Sequence, residues 1–296
     1  MQKMAMVSSC HRCAAARSTA ELLPPPVYQW AADHLPLDDR LLSLLRTSLL
    51  VRANLTINDR VLPLSLHVPT HDATKLRNEF HRGLPVWLDR TLPLLPPHTI
   101  TALDVGANIG AVSMLLFASR PCARVVALEP SAHTALFLRW NLHDHAVPLL
   151  SSGAPCGVAL RLGALAPVAR RVAVHYDPQH SSMLARTTEN AAPNATGFAS
   201  HVDATTIGHL VDEYGDVALL KLDCEGCETE VLRALAAAPN VSARIGFAAG
   251  ELHGCGKFAT SYKRKAAHVP SSPECLENVV RLRRLFRNRT MFERAK

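Results

Sequence analysis

Nowhere in the 296 residues is there an uninterrupted apolar run of the roughly 18 positions that a membrane-crossing helix needs. Even Leu41 to Val51 is broken by Arg46, so no transmembrane segment is expected. Aromatic residues are scarce, 5% of the chain, and no RNA-binding signature occurs, which argues against a base-stacking surface. Residues 1–26 hold no acid before Glu21 and no apolar stretch of secretory-signal length. That composition suits an organelle transit peptide, or an N-terminal extension closed by Pro24-Pro25-Pro26. With 48% hydrophobic and 19% charged residues, the chain as a whole suits a folded globular protein. Its length allows one large domain with extensions or two small ones.

Another absence is informative because of where it falls. The stretch Leu103-Asp104-Val105-Gly106-Ala107-Asn108-Ile109-Gly110 reads as a strand entering a tight glycine turn, and Ala111 to Ser119 reads as the helix that follows. A dinucleotide fingerprint requires a middle glycine where this chain has Asn108, and a phosphate-binding loop requires a Lys-Ser/Thr pair that is not here. The pattern left is D-x-G-x-x-x-G. A second apolar run, Arg124 to Leu128, delivers Glu129, whose two oxygens match the two vicinal hydroxyls of a ribose. These residues predict a nucleoside-bearing cofactor at the carboxyl ends of parallel strands.

The chain then alternates. Helix 132–144 (Ser131 as its cap) leads to β-type runs at 157–162 and 171–176, a loop over 177–199 and a strand at 201–205. Helix 207–214, strand 217–222, helix 228–238 and strand 245–249 complete the series. Such alternation predicts an α/β domain with a mostly parallel sheet and helices on both faces. Ahead of it, residues 27–97 read as an N-terminal helical extension, with helices over 37–51 and within 73–95 and a strand near 61–68; Pro96-Pro97 marks the boundary. Residues 263–296 carry ten Lys/Arg against three Glu, and within them a basic helix is read from Ser272-Pro273-Glu274 through about Asn288. The expected organisation is therefore 1–26 disordered or targeting, 27–97 extension, 98–256 cofactor domain and 257–296 basic helical tail.

A second signature is Leu219-Leu220-Lys221-Leu222-Asp223-Cys224-Glu225-Gly226-Cys227-Glu228. It closely resembles the L-L-K-I-D-x-E-G-x-E segment of FkbM-like methyltransferases. The motifs 104–110, 128–130, R-x-N-L at 139–142, H-S-S-M at 180–183, T-T-I-x-x-L at 205–210 and G-E-L-H at 250–253 follow in the family's order. The resemblance implies a class I methyltransferase of Rossmann-like fold that uses S-adenosylmethionine and O-methylates a hydroxyl of a glycan or small molecule. Asp104, Gly106, Asn108 and Gly110 would then shape the methionine side of the cofactor site, with Glu129 on the ribose. A hydroxyl acceptor must lose its proton, and Asp223, Glu225, Glu251, His253 and Lys221 are the candidates at strand ends. Lys221 and Asp223, two apart on one strand, share a face, so an ion pair between Lys221 and Asp223 or a glutamate is expected, either catalytic or merely bracing the sheet. For Glu225 and Glu228 the dipole at a helix start is explanation enough.

Two readings of other classes stay open: an NAD(P)-dependent oxidoreductase, and a nucleic-acid-binding protein acting through the basic tail. That tail would equally suit contact with a membrane surface or an acidic glycan. Cys10-x-x-Cys13 and Cys224-x-x-Cys227 stand too far apart for a compact zinc unit, so no metal is assigned. A redox pair at Cys224/Cys227 or a Cys255–Cys275 disulfide is compatible with the spacing. Sequons at Asn54, Asn194, Asn240 and Asn288 favour a secretory lumen, against the organelle-like N-terminus and a cytoplasmic location. The acceptor and the oligomeric state are not encoded in any motif.

Overall fold

The computed structural model describes residues 18–57, 60–81, 85–120, 122–150, 155–176, 186–188, 198–224, 226–252, 277, 280, 285–286 and 290–294. Its centre is a six-stranded parallel sheet: β3 (Thr101–Val105), β4 (Arg124–Glu129), β5 (Gly157–Leu162), β10 (Val217–Leu222), β11 (Ile245–Leu252) and β12 (Thr290–Arg294). The order is β12-β11-β10-β3-β4-β5. From β3 the chain winds outward through β4 to β5, and from β10 it winds the other way. The switch between β3 and β10 leaves a crevice at their carboxyl ends, where ligands of open α/β sheets bind.

Sequence alternation explains why both faces are covered. Leu103, Val105, Val126, Leu128, Leu220 and Leu222 point to one face and pack with Ile207, Leu210, Val231, Leu232 and Leu235 of α7 (Ile207–Tyr214) and α8 (Glu228–Ala237). Ala102, Val125, Ala127 and Leu219 point to the other, against Met114, Leu115, Leu136 and Phe137 of α5 (Ala111–Ser119) and α6 (Ala132–Asp144). Strands buried on both sides should be apolar throughout. Asp104 and Lys221 break that rule, and they are partners in the β3–β10 register.

The N-terminal extension differs from expectation. Helices α1 (Pro25–His34), α2 (Asp39–Arg46), α3 (Thr70–His81) and α4 (Val86–Thr91) are joined by an antiparallel hairpin, β1 (Leu49–Ile57) with β2 (Arg60–Val68). The helix expected to run to Val51 stops at Arg46. There the Thr47 and Ser48 hydroxyls donate to the Ser43 and Leu45 carbonyls at 3.0 and 2.7 Å, bonds that compete with helix continuation. The hairpin and α1 pack over α6, burying Val27, Ala31, Leu55 and Leu66 in one core with Phe137. Asn141 locks this contact: its Oδ1 accepts from His67 N at 2.6 Å, and its Nδ2 donates to the His67 and Ile109 carbonyls.

Two further differences lie after β5. A second sheet, in the order β6-β9-β7-β8, is inserted there: β6 (Ala164–Leu165), β7 (Arg170–Tyr176), β8 (Arg186–Thr188) and β9 (Phe198–Thr205). Strand β8 lies within the stretch expected to be loop. At the C-terminus β12 joins the main sheet beside β11, in the basic tail just beyond the helix expected to end near Asn288; of that helix, residues 277, 280, 285 and 286 are helical among the described residues. The segment 180–183, Cys10, Cys13, Cys255, Cys275, Asn194 and Asn288 lie outside the described residues. Among the described residues no helix is long and apolar enough to cross a membrane.

Candidate active site

The glycine turn after β3 is held from every side. Gly106 (φ +73°) and Gly110 (φ +90°) occupy the left-handed region, as does Asn108 (φ +52°). A Cβ on Gly106 would lie 1.9 Å from the Asp223 carbonyl oxygen, so only glycine lets the loop after β10 cross at this point. The two signature segments are thus in direct backbone contact.

Each backbone N–H of the turn has an internal acceptor. Gly106 N and Ala107 N both donate to Leu128 O at 3.0 Å, and Gly110 N donates to Ala107 O at 2.9 Å. Asn108 N donates to Glu129 Oε2 at 2.9 Å, and Ile109 N to Asn108 Oδ1 at 2.7 Å. Nothing in this turn is left to cradle a pyrophosphate, whose binding depends on such donors.

Glu129 ends β4 and is buried. Its other oxygen, Oε1, accepts from Ser131 N at 2.9 Å. Burial pushes its carboxyl up to about 7, against the opposing pull of the two N–H donors and of Lys221. Each carboxylate oxygen can accept more than one hydrogen bond, so the bonds to Asn108 and Ser131 leave acceptor capacity.

Beneath the turn sits an ion cluster. Lys221 Nζ lies 3.0 Å from Asp104 Oδ1 and donates to the carbonyls of Gly106 (2.6 Å) and Val105 (3.2 Å). Asp104 accepts from Ser113 of α5 at 2.6 Å through its second oxygen. Burial works against the Lys221 charge, but Asp104 first and Asp223 next outweigh it and raise its pKa. The expected Lys221–Asp223 pair therefore exists at 3.7 Å, yet the tighter partner is Asp104, 117 positions away and supplied by strand register.

Asp223 is partly exposed, its side chain 34% accessible at the mouth of the crevice. Glu251, half-buried, follows Gly250, which is paired with Leu222, so Glu251 comes level with Asp223 on the next strand. Glu225 and His253 lie outside the described residues. The structure therefore groups Asp104, Gly106, Asn108, Gly110, Glu129, Lys221, Asp223 and Glu251 at one end of the sheet.

Three neighbours were not read as parts of this group. Ser113 carries no motif signal beyond being a small residue. Asn141 stands in the quoted R-x-N-L segment without an assigned role, although a buried helical Asn needs partners. Glu228 sits at a helix start, where the dipole favours a carboxylate, but it is also buried and accepts from Cys224 N (2.8 Å) and Gly226 N (3.0 Å). It shapes the loop that crosses Gly106.

Residues 104–261, just over half the chain, match the methyltransferase FkbM domain. The chain belongs to the FkbM methyltransferase family. No curated protein matches it. Among solved structures it is similar to a methyltransferase FkbM from Methylobacillus flagellatus KT, at 14% identity over 77% of this chain and 46% of that one, with a TM-score of 0.31. It is also similar to a precorrin-6y C5,15-methyltransferase from Geobacter metallireducens GS-15, at 18% identity over 53% and 56%, with a TM-score of 0.28. The chain thus spans about half the length of each, and family membership rests on the domain match alone.

Proposed function

We propose that this FkbM-family protein binds S-adenosylmethionine and transfers its methyl group to a hydroxyl of a carbohydrate or related small molecule. The observation that carries the cofactor reading is the turn after β3. All five of its N–H groups from Gly106 to Gly110 are engaged internally, which suits a cofactor without phosphates and disfavours a nicotinamide dinucleotide. Glu129, with spare acceptor capacity beside that turn, fits the two ribose hydroxyls. Gly106, Asn108 and Gly110 would line the methionine side through their backbone. Asp104, fully buried, would act on the cofactor through Lys221 and the turn.

When bound, S-adenosylmethionine supplies an electrophilic methyl on a sulfonium, and displacement at that carbon requires an in-line oxygen. The chain's own task is to orient the acceptor and take its proton. Asp223, an accessible carboxylate at the crevice, is the residue we assign as base, with Glu251 beside it as a second acceptor for substrate hydroxyls. Lys221 keeps its proton and is saturated by Asp104 and two carbonyls, so its role is to position Asp223 and the turn.

The test is transfer of labelled methyl from S-adenosylmethionine to a panel of sugars and small alcohols, with Asp223→Asn as comparison. The expected result is transfer to hydroxyl acceptors, with kcat reduced roughly 100-fold or more in Asp223→Asn and cofactor affinity little changed. Transfer only to amines or carbon acceptors, or full activity in Asp223→Asn, would contradict it.

A further inference from the structure

Two disulfides occur among the described residues, and they sit at opposite ends of the sheet. Cys122–Cys156 joins the segments entering β4 and β5, at the amino edge, away from the crevice. Cys224–Cys227 lies at the carboxyl edge, in the loop from β10 to α8. It closes a ring only three residues apart in sequence, which can restrain little of the unfolded chain. Its effect must therefore be local, on the loop itself.

That loop is part of the candidate site. The Asp223–Cys224 peptide lies against Gly106: a Cβ there would stand 1.9 Å from Asp223 O and 3.2 Å from Cys224 Cα. Asp223 N is tied to Val105 O, and Cys224 N to Glu228 at the start of α8. The disulfide adds a covalent tie between residue 224 and Cys227, the cap position of the same helix. Both cysteines are half-buried, so neither is sealed from solvent.

We propose that Cys224 and Cys227 are a site of reversible thiol–disulfide modification that controls cofactor binding: the disulfide pins the Asp223–Cys224 peptide over the glycine turn, and reduction releases it. This rests on the reading of that turn as the S-adenosylmethionine site. The reductant is a dithiol, small or protein-borne. Its thiolate attacks Cys224 Sγ, the Cys224–Cys227 bond breaks, and Cys227 leaves as a thiolate at the start of α8, where the dipole favours negative charge. The reagent's second thiolate then attacks its own sulfur in the mixed disulfide and expels Cys224. The reagent gives up two electrons and two protons and ends as a disulfide; the protein ends with two thiols. A small-molecule disulfide such as oxidised glutathione runs the sequence backwards. A loop held in its binding conformation loses less freedom on binding, so the oxidised protein binds more tightly.

The experiment is calorimetric titration of the full chain with S-adenosylmethionine, oxidised, after dithiothreitol, and after reoxidation with glutathione disulfide. Circular dichroism verifies the fold in each state, and Cys224→Ser/Cys227→Ser serves as a variant that cannot switch. The inference predicts affinity weakened roughly tenfold on reduction and restored on reoxidation, with the variant fixed near the reduced value in both conditions. Equal affinity in both states, or a variant that still responds to dithiothreitol, overturns this inference and leaves the cofactor reading standing. Absence of binding in every state overturns both.

Discussion

At Glu129 the protein holds a carboxyl in a buried place that favours its neutral form, yet a ribose would donate hydrogen bonds that favour the charged form. Burial raises its pKa from 4.5 to about 7. A raised acid stabilises the fold fully below its unfolded value and loses that contribution as pH rises to the folded one. Across pH 4.5 to 7 the loss is on the order of 3 kcal/mol for this fully buried group. Cofactor binding carries the opposite sign, because it selects the carboxylate. Affinity for S-adenosylmethionine should therefore rise between pH 6 and 8, with about one proton released below pH 7. Titrations in buffers of different ionisation enthalpy read that proton directly, and a pH-independent affinity would contradict it. Lys221 offers a second test. Replacing it with Met strands Asp104 without its cation in the core, at a cost of about 3–5 kcal/mol in urea denaturation. The double variant Lys221→Met/Asp104→Asn should recover part of that loss, since no unpaired charge remains.

Among the elements, strands β3, β4, β5, β10 and β11 and the hairpin's second strand β2 were readable from residues, whereas β1 and β12 were not. Strands β3, β4, β10 and β11 are apolar runs ending at Gly, Glu or Asp, and their helices show caps such as Ser131 and Thr206, whose hydroxyls accept from Thr134 N and His209 N. In β1 the alternation of Val51, Leu55 and Ile57 inward with Arg52, Asn54 and Thr56 outward is present, but the leucines from Leu41 through Leu50 carry a helical reading across Arg46, Thr47 and Ser48 into the start of the strand. The pair Asn58-Asp59 between the strands was the available turn signal. In the site, Gly106, Glu129 and Asp223 were recognisable because motifs carry them. The Asp104–Lys221 pair was not, because it arises from register between strands far apart in sequence. Cys122–Cys156, likewise unread, joins segments 34 residues apart. Removing it with Cys122→Ser/Cys156→Ser should cost about 3–4 kcal/mol in stability by loop entropy. Because it lies at the edge away from the crevice, cofactor affinity should stay within about twofold, and a large loss of affinity would show the two ends of the sheet to be coupled.

On the scale of the whole molecule, the fold separates a braced scaffold from a ligand-facing rim. The extension clamps α6 through Asn141, and Arg120 ties the end of α5 to the carbonyls of Leu92 and Pro96. The carboxylates Glu129, Asp223 and Glu251 lie along one edge of the sheet, where β4, β10 and β11 end. That arrangement makes cofactor identity the claim on which every other assignment depends. The most direct test is calorimetric titration of the full chain with S-adenosylmethionine, on wild type and on Glu129→Ala. The account predicts micromolar binding to the wild type, weakened by about 2 kcal/mol in the variant as the ribose loses its acceptor. A folded wild type that binds NADPH but not S-adenosylmethionine would contradict it.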